Sequence, residues 1–307
     1  MTISRRKLLG LSVGAGMVAA TGHWRPLMAG MQTRIMTTIP SSGEQLPSVG
    51  IGTRDYRSDT DKAEMKRFRQ TLEVFHSSGG RVIDTSPNYG NAESVIGGLL
   101  RDIGIRDDMF MATKVDREDQ QQGIERMNRS FELLKGDQID LMQVHNLRGT
   151  EAELETMISW KEEGRFRYLG VTTHSPRQYA EMEDVMRRHP LDFIQLNYSL
   201  ADRSAEKSIL PLARDRGIAV LVNLPFARGQ LFRAVADRPL PTWAAEIDAD
   251  SWGQVFLKYV ISYPAATLPI PGTTKPHHAM DNMGAASGRL PDATLRWEIE
   301  KYIAPLL

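Results

Sequence analysis

Residues 81–90, which read RVIDTSPNYG, decide the fold prediction and point to a site. Val82 and Ile83 are apolar and β-branched, which predicts a short strand that is buried on both faces. The strand ends at Asp84, a turn of serine, proline and asparagine follows, and Tyr89 stands five residues beyond the carboxylate. A carboxylate at a strand end and a phenol on the next turn can form a catalytic pair. Alternatively, the carboxylate caps a turn on which the phenol packs.

The composition is that of an ordinary soluble globular protein, and it excludes several classes of function. The 307 residues are 41% hydrophobic and 25% charged, and the formal net charge is zero. This balance gives no electrostatic footprint for nucleic acid or for a membrane surface. Because the chain has no cysteine, disulfides, thiolate metal sites and a cysteine nucleophile are excluded.

Residues 1–30 differ from the rest and are predicted to be an export signal, which leaves residues 31–307 as one domain. Arg5 and Arg6 precede a weakly apolar run at 8–20, which is too short for a stable membrane span. The paired arginines resemble a twin-arginine (Tat) signal. The resemblance implies that the Tat machinery is a partner and that the protein is exported, folded, to the periplasm. An uncleaved extension is the alternative.

The chain after residue 30 alternates strand and helix. Strands are predicted at residues 49–53, 82–85, 110–115, 139–145, 168–172, 193–197, 219–223 and 267–270. Helices are predicted at residues 61–77, 92–102, 124–135, 154–163, 177–188, 204–215, 252–262 and 295–303. Eight such units predict an α/β fold of the (β/α)8 TIM barrel type in a single domain. A doubly wound sheet is the alternative, but no strand–helix junction carries the Gly-x-Gly-x-x-Gly of a nucleotide-binding turn.

The strand ends of such a barrel carry the candidate catalytic residues, because the C-terminal ends of all strands converge on one site. Lys114 ends the third predicted strand, where a buried lysine needs a partner, and Asp84 on the neighbouring strand can supply one. An ammonium close to the Tyr89 phenol favours the phenolate. His145 ends the fourth strand and is expected at the same mouth. These four side chains form a proton-donating set suited to a developing alkoxide.

Seven short motifs from residue 45 onward resemble those of the aldo-keto reductase family. They are IDT at 83–85 with NYG at 88–90, TK at 113–114, DLMQVH at 140–145, LGVT at 169–172, IQLNY at 194–198 and IPGTTK at 270–275. By this resemblance, Tyr89 is the general acid that protonates a carbonyl oxygen as hydride arrives from a nicotinamide. Lys114, paired with Asp84, tunes the tyrosine, and His145 orients the carbonyl.

The resemblance also implies a cofactor, NADP(H) more than NAD(H), extended across the barrel mouth without a Rossmann fold. Asn223 replaces a tyrosine that often stacks on the nicotinamide, and His278 replaces an arginine that often grips the 2′-phosphate. Lys275 can compensate for the arginine. The positions that match the family's cofactor residues are Gly52, Thr53, Thr172, Gln195, Asn223, Leu224, Pro225, Phe226, Gly272, Thr273, Thr274, His278 and Asn282.

The expected substrate is a small-molecule carbonyl or alcohol, with Arg54, Tyr56 and His174 in the substrate pocket. Arg54 replaces a frequent pocket tryptophan, so an anionic group on the substrate is one expectation. Two other functions stay open. The barrel could bind the cofactor as a redox sensor or partner subunit with little turnover. A metal-dependent hydrolase would use His145, His174 and Asp84, but no His-x-His pair or carboxylate cluster supports it, and no metal is predicted.

Overall fold

Eight short parallel strands form the frame of the protein in the computed structural model, which describes residues 33–57 and 61–307. The predicted export segment, residues 1–30, lies outside the described residues. Successive strands pair in chain order, and a parallel bridge between Gly52 and Gly272 joins the first strand to the residues after the last. The sheet therefore closes into a (β/α)8 barrel in one domain, which confirms the predicted fold class.

The described elements alternate as the sequence predicts. The strands are β1 (Met36–Thr38), β2 (Gln45–Pro47), β3 (Ile51–Gly52), β4 (Val82–Asp84), β5 (Phe110–Val115), β6 (Ile139–Val144), β7 (Phe166–Thr172), β8 (Phe193–Asn197), β9 (Ala219–Asn223) and β10 (Thr267–Pro269). The helices are α1 (Lys62–Ser77), α2 (Ala92–Ile103), α3 (Gln120–Leu134), α4 (Thr150–Glu162), α5 (Tyr179–Arg188), α6 (Ile209–Asp215), α7 (Gln230–Ala234), α8 (Trp252–Ile261), α9 (Pro276–Gly284) and α10 (Ala293–Ile303). None of these helices is long and apolar enough to cross a membrane.

The interior of the barrel is filled by side chains rather than left as a pore. Because strand side chains alternate between faces, every second residue of each strand points inward. The interior cluster is Val82, Phe110, Ala112, Leu141, Tyr168, Phe193, Ala219, Leu221, Leu268 and Ile270, joined by Ile39 and Leu46. The last two belong to the β1–β2 hairpin, which is antiparallel and separate from the barrel sheet. The hairpin was not predicted, because three-residue strands carry too little periodicity.

Other elements also differ from the prediction, among them α7, which lies in a stretch for which no helix was predicted. The helix predicted over residues 204–215 is a 3-10 turn, Ser204–Lys207, followed by α6, because Ser208 leaves the helical region with φ −149° and ψ −46°. α9 was not predicted as a helix. It begins at Pro276, whose missing N–H costs nothing at the first helical position. The predicted cofactor residues His278 and Asn282 therefore lie on a helix.

Candidate active site

The centre of the candidate site is a buried ion pair at the ends of two neighbouring strands. Lys114 Nζ lies 2.8 Å from each carboxylate oxygen of Asp84 and 2.7 Å from the carbonyl oxygen of Thr85, so all three ammonium hydrogens are donated. Burial by itself lowers the pKa of Lys114, but the charges of Asp84 and Tyr89 outweigh it, and the pKa lies above its usual value. Lys114 therefore carries a fixed positive charge.

Tyr89 lies in the loop between β4 and α2, with its ring beside that charge. Lys114 Nζ is 5.3 Å from the centroid of the Tyr89 ring. The rings of Tyr89 and His145 stand nearly perpendicular, at 87°, with their centroids 6.2 Å apart. Tyr89 is half-buried and packs against the core. The fold thus brings the four predicted catalytic side chains into one place.

His145 begins a 3-10 turn, His145–Leu147, that directly follows β6. Its Nδ1 lies 3.2 Å from Ser86 Oγ and 3.2 Å from Asn88 Nδ2. Burial, followed by the positive charge of Lys114, lowers the pKa of His145 to about 3. The imidazole is therefore neutral near pH 7, and it can act as a neutral hydrogen-bond donor.

These groups open into a cavity of about 880 Å³ at the C-terminal end of the barrel. The sequence did not single out Arg57 and Asn146, which also line this cavity, although Asn146 directly follows His145 and could have been found from that position. The predicted site residues that line the cavity are Gly52, Thr53, Arg54, Asp84, Tyr89, Lys114, His145, Thr172, His174, Asn223, Leu224, Pro225, Phe226 and Gly272.

Tyr56 is a correction to the predicted substrate pocket. Its side chain is fully buried, and its ring packs on Phe68 of α1 with the centroids 4.7 Å apart. Its hydroxyl donates to the carbonyl oxygen of Thr273 at 2.9 Å. Tyr56 therefore faces the core and supports the segment before α9, and it does not line the cavity.

Gln195 also lies outside the cavity lining, but it is linked to it through Asn223. Gln195 is almost fully buried, and its Nε2 donates to Asn223 Oδ1 at 2.8 Å. Gln195 Oε1 has no hydrogen-bond partner among the described residues. A buried acceptor without a partner is costly. Asn197, which does line the cavity, also has a buried Oδ1 without a partner among the described residues, so the lining offers an acceptor that fits the carboxamide of a nicotinamide.

The remaining predicted cofactor residues lie at α9, beyond the cavity. Thr273 and Thr274 precede the helix and are half-buried, His278 is exposed on it, and Asn282 is buried. Burial, followed by the charges of His277 and Lys275, lowers the pKa of His278. A neutral His278 is a weak partner for a phosphate.

The loop after β9 is strained where it borders the cavity. Leu224, Ala227 and Arg228 are left-handed, with φ of 50°, 47° and 54°, a conformation that costs L-residues on the order of 1 kcal/mol or more each. Turn hydrogen bonds hold it, from the amide of Ala227 to the carbonyl of Leu224 and from that of Gly229 to that of Phe226, at 2.8 and 2.9 Å. Strained backbone that is held in this way is concentrated at ligand sites.

A (β/α)8 barrel with a lysine–carboxylate pair, a phenol and a neutral imidazole at its C-terminal mouth is the architecture of a barrel oxidoreductase. In residues 33–57 and 61–307, no group of three His, Asp or Glu side chains could hold a metal ion, so the hydrolase alternative has no ligand set there. Residues 48–297 match the model of the Aldo/keto reductase family. The chain belongs to this family of NAD(P)H-dependent oxidoreductases.

Curated relatives agree with that assignment. Aldo-keto reductase YhdN of Bacillus subtilis (strain 168) is 30% identical over 215 residues, which cover 64% of this chain and 63% of the relative. The chain thus spans just under two thirds of that relative's length. NADH-specific methylglyoxal reductase of Escherichia coli (strain K12) is 26% identical over 282 residues, which cover 73% of this chain and 83% of the relative.

Solved structures share the fold. Aldo-keto reductase AKR11C1 from Bacillus halodurans, in its holo form, matches with a TM-score of 0.73 and 23% identity, over 88% of this chain and 97% of that chain. An aldo/keto reductase from Klebsiella pneumoniae in complex with NADP and acetate matches with a TM-score of 0.71 and 22% identity, over 88% of this chain and 95% of that chain.

The depressed pKa of His145 predicts a pH dependence of stability. Below pH 6.5 the unfolded chain binds a proton at this imidazole and the folded protein does not, so stability falls as the pH drops from 6.5 toward 3. We expect wild type to lose on the order of 2–3 kcal/mol more between pH 7 and pH 4 than His145→Gln does, in urea unfolding. His174→Gln, at an exposed histidine of the same cavity, is the control. Equal slopes for wild type and His145→Gln would contradict the burial of a neutral imidazole.

Proposed function

We propose that the protein reduces an aldehyde or ketone to an alcohol, or catalyses the reverse reaction, with Tyr89, Lys114, Asp84 and His145 as its catalytic residues. The observation that supports this proposal best is a buried, permanently charged lysine beside a phenol and a neutral imidazole in one cavity. A bound nicotinamide cofactor supplies or accepts the hydride. The protein supplies the proton and the electrostatic environment.

Each side chain has a distinct task in this proposal. Tyr89 gives its hydroxyl proton to the carbonyl oxygen as negative charge develops there. Lys114 stabilises the phenolate that remains, and Asp84 keeps the ammonium in place through its two hydrogen bonds. His145 donates a hydrogen bond to the same substrate oxygen and orients it. Burial of the ion pair lowers the local dielectric and strengthens these interactions.

We further propose NADP(H) as the cofactor in preference to NAD(H). The unpartnered Asn197 Oδ1 in the cavity lining supports a nicotinamide, and Lys275 at the N-terminal end of α9 provides a charge for a 2′-phosphate. The Klebsiella structure holds NADP. The Escherichia coli relative is NADH-specific, and the lowered pKa of His278 also favours NAD(H) over NADP(H). Both nucleotides therefore belong in the test.

Replacing Tyr89 by Phe separates chemistry from cofactor binding. Only the hydroxyl is lost, so we expect the dissociation constants for NADPH and NADH, measured by fluorescence titration, to stay within about twofold of wild type. Reduction of a generic aldehyde should fall by at least about 100-fold, the usual contribution of a general acid. Tyr302→Phe, on α10 and outside the cavity lining, is the matched control.

The outcomes of this experiment distinguish a carbonyl reductase from a redox sensor or partner subunit. If neither nucleotide binds at high micromolar concentration, the cofactor assignment fails. If Tyr89→Phe keeps wild-type turnover, the proposed role of Tyr89 fails. If nucleotides bind but wild type reduces no carbonyl, and Tyr89→Phe leaves the cellular function intact, the barrel acts as a redox sensor or partner subunit.

The cavity favours a substrate that carries an anionic group. The charged residues in its lining are four cations and two anions, and one of the anions, Asp84, is already neutralised by Lys114. Asp55 faces Arg57 at 3.6 Å. Arg54 is exposed at the rim, directly after Thr53 at the end of β3, where a carboxylate on the substrate could reach it.

We expect Arg54→Gln to weaken the use of anionic substrates selectively. For an aldehyde with a terminal carboxylate, KM should rise by about 5- to 10-fold, the worth of one partly solvated charge-assisted hydrogen bond. For the methyl ester of the same aldehyde, KM should change by less than about twofold. Arg57→Gln, whose guanidinium already faces Asp55, should have the smaller effect. Equal changes for acid and ester would refute the anionic substrate.

We propose that the protein is exported to the periplasm by the twin-arginine route, on the basis of Arg5, Arg6 and the weakly apolar run that follows. Changing both arginines to lysine keeps the charge, so we expect export to stop in a host that has the Tat machinery, as measured by cell fractionation. Lys7→Arg is the control and should be exported. Export of the double-lysine variant at the wild-type level would reject this route.

A further inference from the structure

The amide of Asn88 lies between His145 and two charged residues. Asn88 Nδ2 is 2.6 Å from Asp116 Oδ2 and 3.2 Å from His145 Nδ1, and Asn88 Oδ1 accepts a hydrogen bond from a guanidinium nitrogen of Arg126. Every polar atom of this amide therefore has a partner. Asn88 stands directly before Tyr89 in the chain, so the loop that carries the phenol also contacts the imidazole.

The orientation of the Asn88 amide follows from the chemistry of its neighbours. A carboxylate only accepts hydrogen bonds, and a guanidinium only donates them. If the amide were flipped, its oxygen would face the Asp116 carboxylate and its NH2 group would face Arg126, and both contacts would be repulsive. Nδ2 must therefore point toward Asp116 and His145, with one hydrogen for each.

The charged partners of Asn88 are better buried than Asn88 itself. Asp116 is 8% exposed, and its Oδ1 accepts a hydrogen bond from Arg117 at 2.7 Å. Arg126 lies on α3, its side chain is 23% exposed, and its Nε is 3.7 Å from Asp116 Oδ1. Asn88 is exposed at the cavity rim, but the groups that set its direction are fixed by the scaffold.

This orientation decides which nitrogen of His145 carries the hydrogen. Nδ1 faces the side-chain NH2 group of Asn88 and the Ser86 hydroxyl, each at 3.2 Å. That hydroxyl accepts a hydrogen bond from the backbone N–H of Asn88 at 3.1 Å. A hydroxyl can donate or accept and therefore adapts to either tautomer, whereas the NH2 group only donates, so the Asn88 amide requires Nδ1 to be the acceptor. In a neutral imidazole the hydrogen is then on Nε2.

We propose that Asn88, oriented by Arg126 and Asp116, is a positioning residue that holds His145 as the Nε2–H tautomer. This inference rests on the proposed function, in which His145 donates a hydrogen bond to the substrate oxygen. The opposite tautomer would present a lone pair to a developing alkoxide and repel it. Burial and Lys114 independently keep the imidazole from becoming a cation, so the tautomer alone decides whether it can donate.

The charged and titratable groups around His145 come from several elements and do not supply an alternative anchor. Lys114 lies on β5, Asp116 follows that strand, Arg126 is on α3 and His174 follows β7. Of these, Asp116 and Arg126 contact the imidazole through Asn88, and His174 bonds Asn146 through its own Nδ1 at 2.8 Å. Removing the amide should therefore release the tautomer equilibrium.

The test uses Asn88→Leu, which keeps the approximate shape and removes both donors. The 15N shifts of the His145 ring nitrogens, recorded on the labelled protein without substrate, report the tautomer directly. We expect wild type to show Nε2–H and Asn88→Leu to show a mixture. With saturating cofactor, kcat should fall on the order of 10- to 100-fold, by analogy with the loss of hydrogen-bond partners behind metal-binding histidines, and nucleotide affinity should not change.

Variants of α3 test whether Arg126 acts through Asn88. Arg126→Met should lower kcat less than Asn88→Leu, and Arg126→Lys, which keeps one donor, should restore most of it. The double variant should match Asn88→Leu alone, because the two residues act in one chain of contacts. Arg129→Met, which removes only an exposed ion pair with Glu132 on the same helix, should behave as wild type.

Two results would overturn the inference. One is an Nδ1–H tautomer in the wild-type spectrum, and the other is an Asn88→Leu protein with wild-type tautomer and kcat. The spectrum is read without turnover. It therefore still decides the tautomer question if no carbonyl is reduced and the proposed function itself fails.

Discussion

The buried ion pair between Lys114 and Asp84 is the interaction on which the rest of the site depends. Burying two charges is expensive, and their attraction offsets the cost only when the geometry is good and every hydrogen bond is made. Here each ammonium hydrogen has an acceptor. The result is one positive charge that cannot titrate near neutral pH or move. That charge lies beside the Tyr89 ring and helps to keep His145 neutral.

The register of the barrel makes this pair possible. Asp84 is paired with Ala112 across β4 and β5, so Lys114 stands two residues farther along and on the same inward face. The lysine stem is long enough to bring Nζ back to the shorter carboxylate. A shift of one residue would turn one partner outward toward the helices and leave the other charge buried alone. The geometry of this ion pair is therefore as constrained as the core packing beneath it.

The sequence predicts this part of the protein well, for the same reason. β5, β8 and β9 begin and end where predicted, because apolar runs bounded by turn residues define buried strands. A lysine or histidine at the end of such a run then falls at the barrel mouth. No such pattern predicts the direction of side chains in loops. Tyr56 is only two residues from Arg54, yet it turns into the core against Phe68. No periodicity predicts that direction.

The cofactor end of the site depends on different physics. Asn223 offers an amide bonded to Gln195 where an aromatic ring could have stacked, and the residues suited to a 2′-phosphate are exposed on and before α9. Exposed charges contribute little to folding, so they can change without disturbing the barrel. The buried pair of Lys114 and Asp84 lacks that freedom, since removing one partner leaves the other charge buried without compensation. Under the proposed function, nucleotide preference is therefore the property that this fold constrains least.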